Sequence, residues 1–143
     1  MNPGDELPPL TPPPISVETL VRFAKASGDD NPIHLDHATA ASRGYDGVIA
    51  HGMLSMAYLG RLVTGWAPQH RIRSLRARFV GPTPVGAMVT CTGRVRSVDE
   101  VDGEQRAKVV LTVTLADGTT TVRGEAIVAT VFRQAARPAW RDS

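Results

Sequence analysis

The sequence predicts an α+β domain, with a helical first half and a four-stranded antiparallel second half packed as a sheet on a helix. Three observations predict it. Apolar residues recur at helical spacing up to about residue 64. Beyond Pro68 the period changes and Val, Thr and Ile dominate. Asp-Gly turn signals then separate the later apolar runs. The length, 143 residues, suits one domain able to bury a core.

Pro3, Pro8, Pro9, Pro12, Pro13 and Pro14 make residues 1–14 an extended arm. A helix should follow at once. Ser16 suits its N-cap, Glu18 falls in its first turn, and Ile15 is placed to pack on Leu20 as a hydrophobic staple. Val17, Leu20, Val21 and Ala24 give the apolar stripe, and Gly28 marks the stop. A short helix capped by Asp36 should run through Ala38, Ala40 and Ala41 and end before Gly44. From Gly52 to Thr64 the residues Met53, Leu54, Met56, Ala57, Leu59, Leu62 and Val63 are apolar almost all round, which predicts a buried central helix.

Strands are expected at 71–80, 85–98, 106–116 and 120–132. Ala107, Val109, Leu111, Val113 and Leu115 alternate most regularly and should face the core. Asp117-Gly118 predicts a tight hairpin turn, and Asp102-Gly103 a turn within a slightly longer loop. Residues 133–143 lose the pattern and should lie loosely on the surface. The expected organisation is therefore an arm at 1–14, one domain at 15–132 and a tail at 133–143. The sheet's edges need protection, which an oligomer continuing the sheet across subunits would supply.

Hydrophobic residues make up 42% of the chain and charged residues 21%. No apolar run approaches the ~18 residues of a membrane span, and no cationic leader precedes an apolar stretch, so a cytoplasmic chain with no membrane span is expected. Cys91 is the only cysteine, which excludes an internal disulfide and any site of several thiolates. The net charge of +2 says less than its distribution. No Asp or Glu occurs between Asp46 and Asp99, whereas Arg61, Arg71, Arg73, Arg76, Arg78, Arg94 and Arg96 all do. Such a field favours an anionic small molecule or acidic protein, although a solvated face explains it equally. The few aromatics and the lack of a nucleic-acid fingerprint argue against nucleic acid.

The densest chemistry lies in Ser27-Gly28-Asp29-Asp30-Asn31-Pro32-Ile33-His34, followed by Asp36. On one continuous helix Asp29 and His34 would point about 140° apart, but Pro32 forbids that helix and lets a loop fold them together. Histidine's ordinary pKa lies nearest working pH, so His34 is suited to take and return a proton, with Asp29 orienting it or sharing a water. The alternative is that Asp29 and Asp30 cap turns and His34 packs. Gly52, after Ile49-Ala50-His51, opens the long helix, where exposed amides can stabilise a negative oxygen; close packing of the helix is the alternative.

Other chemistries are poorly served. His34, His37, His51 and His70 match no common metal-ligand spacing, even with Asp29 added, so no metal is expected. Ser27, Ser42 and Ser55 have no nucleophile-elbow context and Cys91 no adjacent base. Glycine-rich phosphate loops are absent, so no nucleotide cofactor is indicated.

The run from Phe23 to Asp36, with Gly28-Asp29-Asp30-Asn31-Pro32-Ile33-His34 at its centre, then Ala40-Ala41, then Ile49-Ala50-His51-Gly52-Met53, resembles the MaoC-like (R)-specific enoyl-thioester hydratases and dehydratases. Arg78-Phe79-Val80-Gly81-Pro82-Thr83-Pro84-Val85-Gly86 resembles that family's strand and turn, and together the matches span about residues 16–132. The resemblance implies a hot-dog fold, a long central helix wrapped by an antiparallel sheet, working as a dimer. It implies Asp29 and His34 as the acid-base pair, Asn31 as a positioning residue, the Gly52 amide as carbonyl-binding group, and His51 as a neighbour of the site. The implied reaction is hydration of trans-2-enoyl thioesters in fatty-acid or related lipid metabolism. No cofactor is needed beyond the coenzyme A or phosphopantetheine of the substrate. Arg71, Arg73, Arg76, Arg78, Arg94 and Arg96 would then include contacts to phosphates or to an acyl-carrier protein. Alternatives are a catalytic subunit paired with a different hot-dog chain, a non-catalytic thioester or carrier-protein binding module, and, on fold alone, a thioesterase.

Overall fold

Ser16 has extended backbone angles and its hydroxyl accepts from the Thr19 amide, starting α1 (Val17–Ser27) in the computed structural model, which describes residues 1–130. Ile15 and Leu20 on either side of the cap are both fully buried, as the staple requires. Gly28 ends α1 at φ 76°, a left-handed conformation in which its N–H reaches the Ala24 carbonyl. A 3-10 turn at Pro32–His34 leads to α2 (His37–Ser42), capped by the Asp36 carboxylate on the Ala38 amide. Then comes α3 (Gly52–Thr64), followed by a 3-10 turn at Gln69–Arg71.

The second half forms β1 (Ile72–Phe79), β2 (Val89–Val101), β3 (Glu104–Leu115) and β4 (Thr120–Ala129). They make one sheet in the order β1-β4-β3-β2, each neighbouring pair antiparallel. Ala107, Val109, Leu111 and Val113 face inward with no exposed surface, and Leu115 is half-buried at the strand end. α3 packs on all four strands, so the expected α+β arrangement of a helix held in a sheet is present.

Burial on α3 is one-sided. Leu54, Ser55, Leu59, Leu62 and Val63 enter the core, but Met53 is 57% exposed, so this helix is not enclosed all round in the isolated chain. Among the described residues no helix is long and apolar enough to cross a membrane.

The two Asp-Gly turns exchange the roles expected of them. Asp102 and Gly103 alone join β2 to β3, both at positive φ (52° and 78°), as a hairpin turn matching the strand twist demands. At the other end the Asp117 carboxylate accepts from the Thr119 amide at 2.9 Å and Leu115 N–H donates to the Thr119 carbonyl. That side-chain turn widens the β3–β4 loop to residues 116–119.

The proline-rich arm is more than an extended lead. Gly4, Leu7 and Leu10 donate to the carbonyls of Val95, Gly93 and Cys91, while Cys91 and Val95 donate back to Leu10 and Asp5. The arm thereby covers the β2 edge, and Leu7, 3% exposed, plugs into the core beside it. Arg71 fastens the far side, donating through Nε to the Ala129 carbonyl at 2.7 Å and through Nη2 to Thr130 O. Of the expected tail, residues 133–143 lie outside the described part of the chain.

Candidate active site

The loop after α1 is built by side chains that replace missing backbone partners. Ser27 Oγ donates to the Phe23 carbonyl and accepts from the Asp29 amide; Asp29 Oδ1 accepts from Asn31 N–H at 3.2 Å, and Asn31 Oδ1 from Ile33 N–H at 3.2 Å. Pro32 supplies the fixed φ that opens the 3-10 turn. At its end His34 turns inward and is only 7% exposed. Asn31 Oδ1 is therefore engaged in capping that turn, which leaves the side-chain NH₂ as the group free for a ligand.

A second segment meets this loop. Ile49 N–H donates to the Ile33 carbonyl, Ala50 N–H to the Thr83 carbonyl and Val85 N–H to Val48, so the strand-to-strand connection 80–88 is tied beneath the start of α3. His34 Nδ1 lies 2.7 Å from the Ile49 carbonyl oxygen. A carbonyl only accepts, so Nδ1 carries the hydrogen and Nε2 of the neutral ring presents its lone pair. Nε2 stands 3.9 Å from Asp29 Oδ2. That is too long for a direct hydrogen bond. Asp29 thus both caps a turn, through Oδ1, and faces the imidazole, through Oδ2, its side chain 51% exposed.

His51 precedes α3 in the N-cap position but makes no side-chain cap. Its Nε2 instead donates to the Asp29 backbone carbonyl at 2.9 Å, and its ring stacks on His34 with centroids 3.9 Å apart and 25° between planes. The amides at the helix start are left without a side chain across them, and Gly52 lines a cleft of about 380 Å³ together with His34, Tyr45, Phe79, Thr83 and Val122. The space that a Cβ on Gly52 would need is not open: it would stand 3.2 Å from three atoms of the Phe79 ring. Gly52 therefore serves close packing of Phe79 at the wall of this cleft. Phe79 and Val122 are not legible as site residues, since a strand residue shows its partners only through sheet register, and Tyr45, in the loop after α2, reaches the cleft only through the fold.

Asp29, His34 and His51 bring possible ligand atoms within 4.8 Å of one another. The rings argue against a shared ion. A ring nitrogen binds a metal in its own plane, and two planes stacked 3.9 Å apart at 25° offer no common in-plane point close to both; His34 Nδ1 and His51 Nε2 are also taken by carbonyls. His37 lies elsewhere, its Nδ1 accepting from Val48 N–H at 3.3 Å.

The arginines divide into two groups. Arg71 holds the end of β4, Arg73 makes a two-pronged pair with Glu104 at 2.9 Å, and Arg76 pairs with Glu125 at 3.0 Å. Arg73 and Arg106 together hold the Glu104 carboxyl down to a pKa of about 2. Arg71, Arg73 and Arg76 thus have partners within the chain, Arg76 on an exposed face, which leaves Arg78, Arg94 and Arg96 of the expected set to place. Arg78 lies directly across from Arg123 in the β1–β4 register. Arg94 and Arg96 line a larger groove of about 810 Å³ between the arm and β2–β3, which contains neither Asp29 nor His34.

Residues 2–119 match the model of the MaoC like domain. A 3-hydroxyacyl-thioester dehydratase Z of Mycobacterium tuberculosis is 32% identical over 112 residues, covering 69% of this chain and 70% of that protein. A 3-hydroxybutyryl-CoA dehydratase of Methylorubrum extorquens is 30% identical over 128 residues, covering 87% and 78%. Among solved structures, the (R)-hydratase from A. caviae involved in PHA biosynthesis superposes with a TM-score of 0.80 at 27% identity, covering 90% of this chain and 96% of that one.

Proposed function

The chain belongs to the MaoC-like domain family, with its hot-dog fold, and from that premise we propose that it catalyses reversible hydration of trans-2-enoyl thioesters to (R)-3-hydroxyacyl thioesters. The observation that carries this reading is the His34 ring, whose tautomer is fixed by the Ile49 carbonyl so that Nε2 faces the Asp29 carboxylate across 3.9 Å. An oxygen about 2.8 Å from both atoms, an ordinary hydrogen-bond length, would see them at an angle of about 90°. A water fits that position as the nucleophile.

In such a substrate the carbonyl draws electrons from the double bond. Water adds at C3 as charge develops on the thioester oxygen, and the Gly52 amide, at the positive end of α3, opposes that charge. The Asp29/His34 pair removes one proton from the water and delivers one to C2, so hydroxide and proton are added and the pair ends as it began. The two groups act as one coupled unit. Dehydration is the reverse path.

The names of the relatives support the substrate class, since they act on 3-hydroxyacyl thioesters, one of them on a coenzyme A ester. The similarity to the (R)-hydratase from A. caviae supports the (R) configuration. The thioester's coenzyme A or phosphopantetheine arm is the only cofactor required, and its phosphates, or an acidic carrier protein, are read by at least one of Arg78, Arg94 and Arg96. Met53, Phe79 and Val80 leave exposed apolar surface at or next to the cleft, which a second hot-dog subunit covers in a homodimer. Native mass measurement distinguishes this from pairing with a different chain.

Incubation with crotonyl-CoA tests the reaction. Hydration removes the conjugated-enoyl absorbance without releasing thiol. Thiol release would identify a thioesterase, and binding without exchange of hydrogen at C2 a non-catalytic module; either result rejects the proposal.

A further inference from the structure

His51 is the residue through which the separate parts of the site are fixed to each other. Its ring is 1% exposed, lies between Phe23 (centroids 4.9 Å apart, 57° between planes) and His34, and immediately precedes the amide of Gly52. Packing does not account for it. The Nε2–H donates to the Asp29 carbonyl, which leaves Nδ1 as a bare acceptor, and that atom is buried with no hydrogen-bond partner among the described residues. A side chain present only to fill this space would be apolar, because a buried acceptor without a donor is unfavourable. The ring also forgoes capping α3, although it occupies the N-cap position.

What histidine supplies here is a planar ring that donates at its tip. The tip bond fixes the backbone of Asp29, whose carboxylate must stay 3.9 Å from His34 Nε2 to hold one water between them. The face packs on His34 and helps fix its plane together with the Nδ1 bond to Ile49. The backbone of His51 leads directly into the Gly52 amide. One side chain thus relates the proton-transfer pair to the oxygen-binding amide.

We propose that His51 is a positioning residue for hydration, setting Asp29 and His34 relative to the Gly52 amide without touching the reacting atoms. The inference rests on the hydratase reading above. Because a misplacement of about 1 Å costs roughly 10²-fold, and the substrate itself contacts other groups, the effect should fall on kcat rather than KM.

Three variants test it with crotonyl-CoA hydration, each checked by circular dichroism and thermal melting, and His34→Ala is measured beside them. His51→Phe keeps the stacked ring and the volume but loses the donor. It should lower kcat about 10- to 100-fold with KM within about twofold, and should shift the pH profile of kcat. His51→Gln restores a donor near the Nε2 position and should recover a large part of the Phe variant's loss. His51→Ala loses both functions and should be the slowest. A His51→Phe enzyme with wild-type kcat and pH profile overturns the inference, as does a loss that tracks melting temperature across all three variants. If His51→Phe does not fold, the ratio of His51→Gln to His51→Ala decides: equal kcat overturns the inference and a faster Gln variant supports it. If the wild-type protein does not hydrate crotonyl-CoA, the hydratase reading fails and this inference with it; if His34→Ala hydrates at the wild-type rate, the Asp29/His34 pairing that His51 is said to position fails; if His34→Ala is inactive while His51→Phe is normal, only this inference falls.

Discussion

Replacing Gly52 by alanine separates the two uses that the structure gives this glycine. The new Cβ would meet three ring atoms of Phe79 at 3.2 Å, a few tenths of an ångström inside ordinary contact. Phe79 is 50% exposed at the end of β1, so its ring can retreat. The strain is then at the low end of the usual overpacking cost, about 1 kcal/mol, and is partly offset by alanine's better helix propensity, up to about 1 kcal/mol. Urea unfolding should therefore move by less than about 1 kcal/mol. Activity should not be spared, because the methyl group and the displaced ring both crowd the amide that must lie about 2.7–3.1 Å from the developing oxyanion. A displacement near 1 Å predicts a loss of about 10²-fold in kcat/KM for crotonyl-CoA. Adding Phe79→Ala removes the ring and should recover at least about tenfold, a coupling readable from the double-mutant cycle. Wild-type turnover in Gly52→Ala would refute the role of this amide, and so would a loss of activity matched by an equal loss of stability.

Leu7→Ala removes about three buried carbons worth about 0.8 kcal/mol each, so unfolding stability should fall by about 2–3 kcal/mol and the uncovered β2 edge should raise aggregation; a change under about 0.5 kcal/mol would show that the arm does not seal the sheet. Glu104 has its pKa lowered from 4.5 to about 2 by Arg73 and then Arg106, so its pairing stabilises the fold above about pH 4.5 and is lost as the pH falls toward 2. Glu104→Gln should flatten acid unfolding across that window, and an unaltered profile contradicts the pairing. Substituting Arg78, Arg94 or Arg96 by alanine should weaken the salt dependence of KM in at least one case, whereas Arg73→Ala should not; wild-type profiles in all three remove the phosphate contacts.

Much of this architecture is local and was therefore legible. Ser16 and Gly28 bracket α1 because a hydroxyl cap and a left-handed glycine act within four residues, and the Gly52–Thr64 span of α3 follows from its apolar run. The inward row from Ala107 to Val113 follows from strict alternation. Nonlocal features were hidden. Arg73 meets Glu104 across 31 positions and Arg76 meets Glu125 across 49, partners fixed by sheet register that a charge run does not display. The arm's proline content announced extension but not the edge it would cover. The exchange of roles between Asp102-Gly103 and Asp117-Gly118 turned on one carboxylate bonding to Thr119. In the site, the loop pairing of Asp29 with His34 was readable from Pro32, whereas the Phe79 ring over Gly52 and the orphaned Nδ1 of His51 exist only after long-range packing.

The most direct test is deuterium uptake at C2 when crotonyl-CoA is hydrated in D₂O by the wild-type protein, Asp29→Asn and His34→Ala, each shown to be folded. Joint proton transfer by this pair predicts one deuterium at C2 with the wild type, and rates lower by at least about 10²-fold in both variants, the usual span for a lost acid-base group being about 10²–10⁴. Near wild-type rates of deuterated product from both folded variants would contradict the assignment of Asp29 and His34.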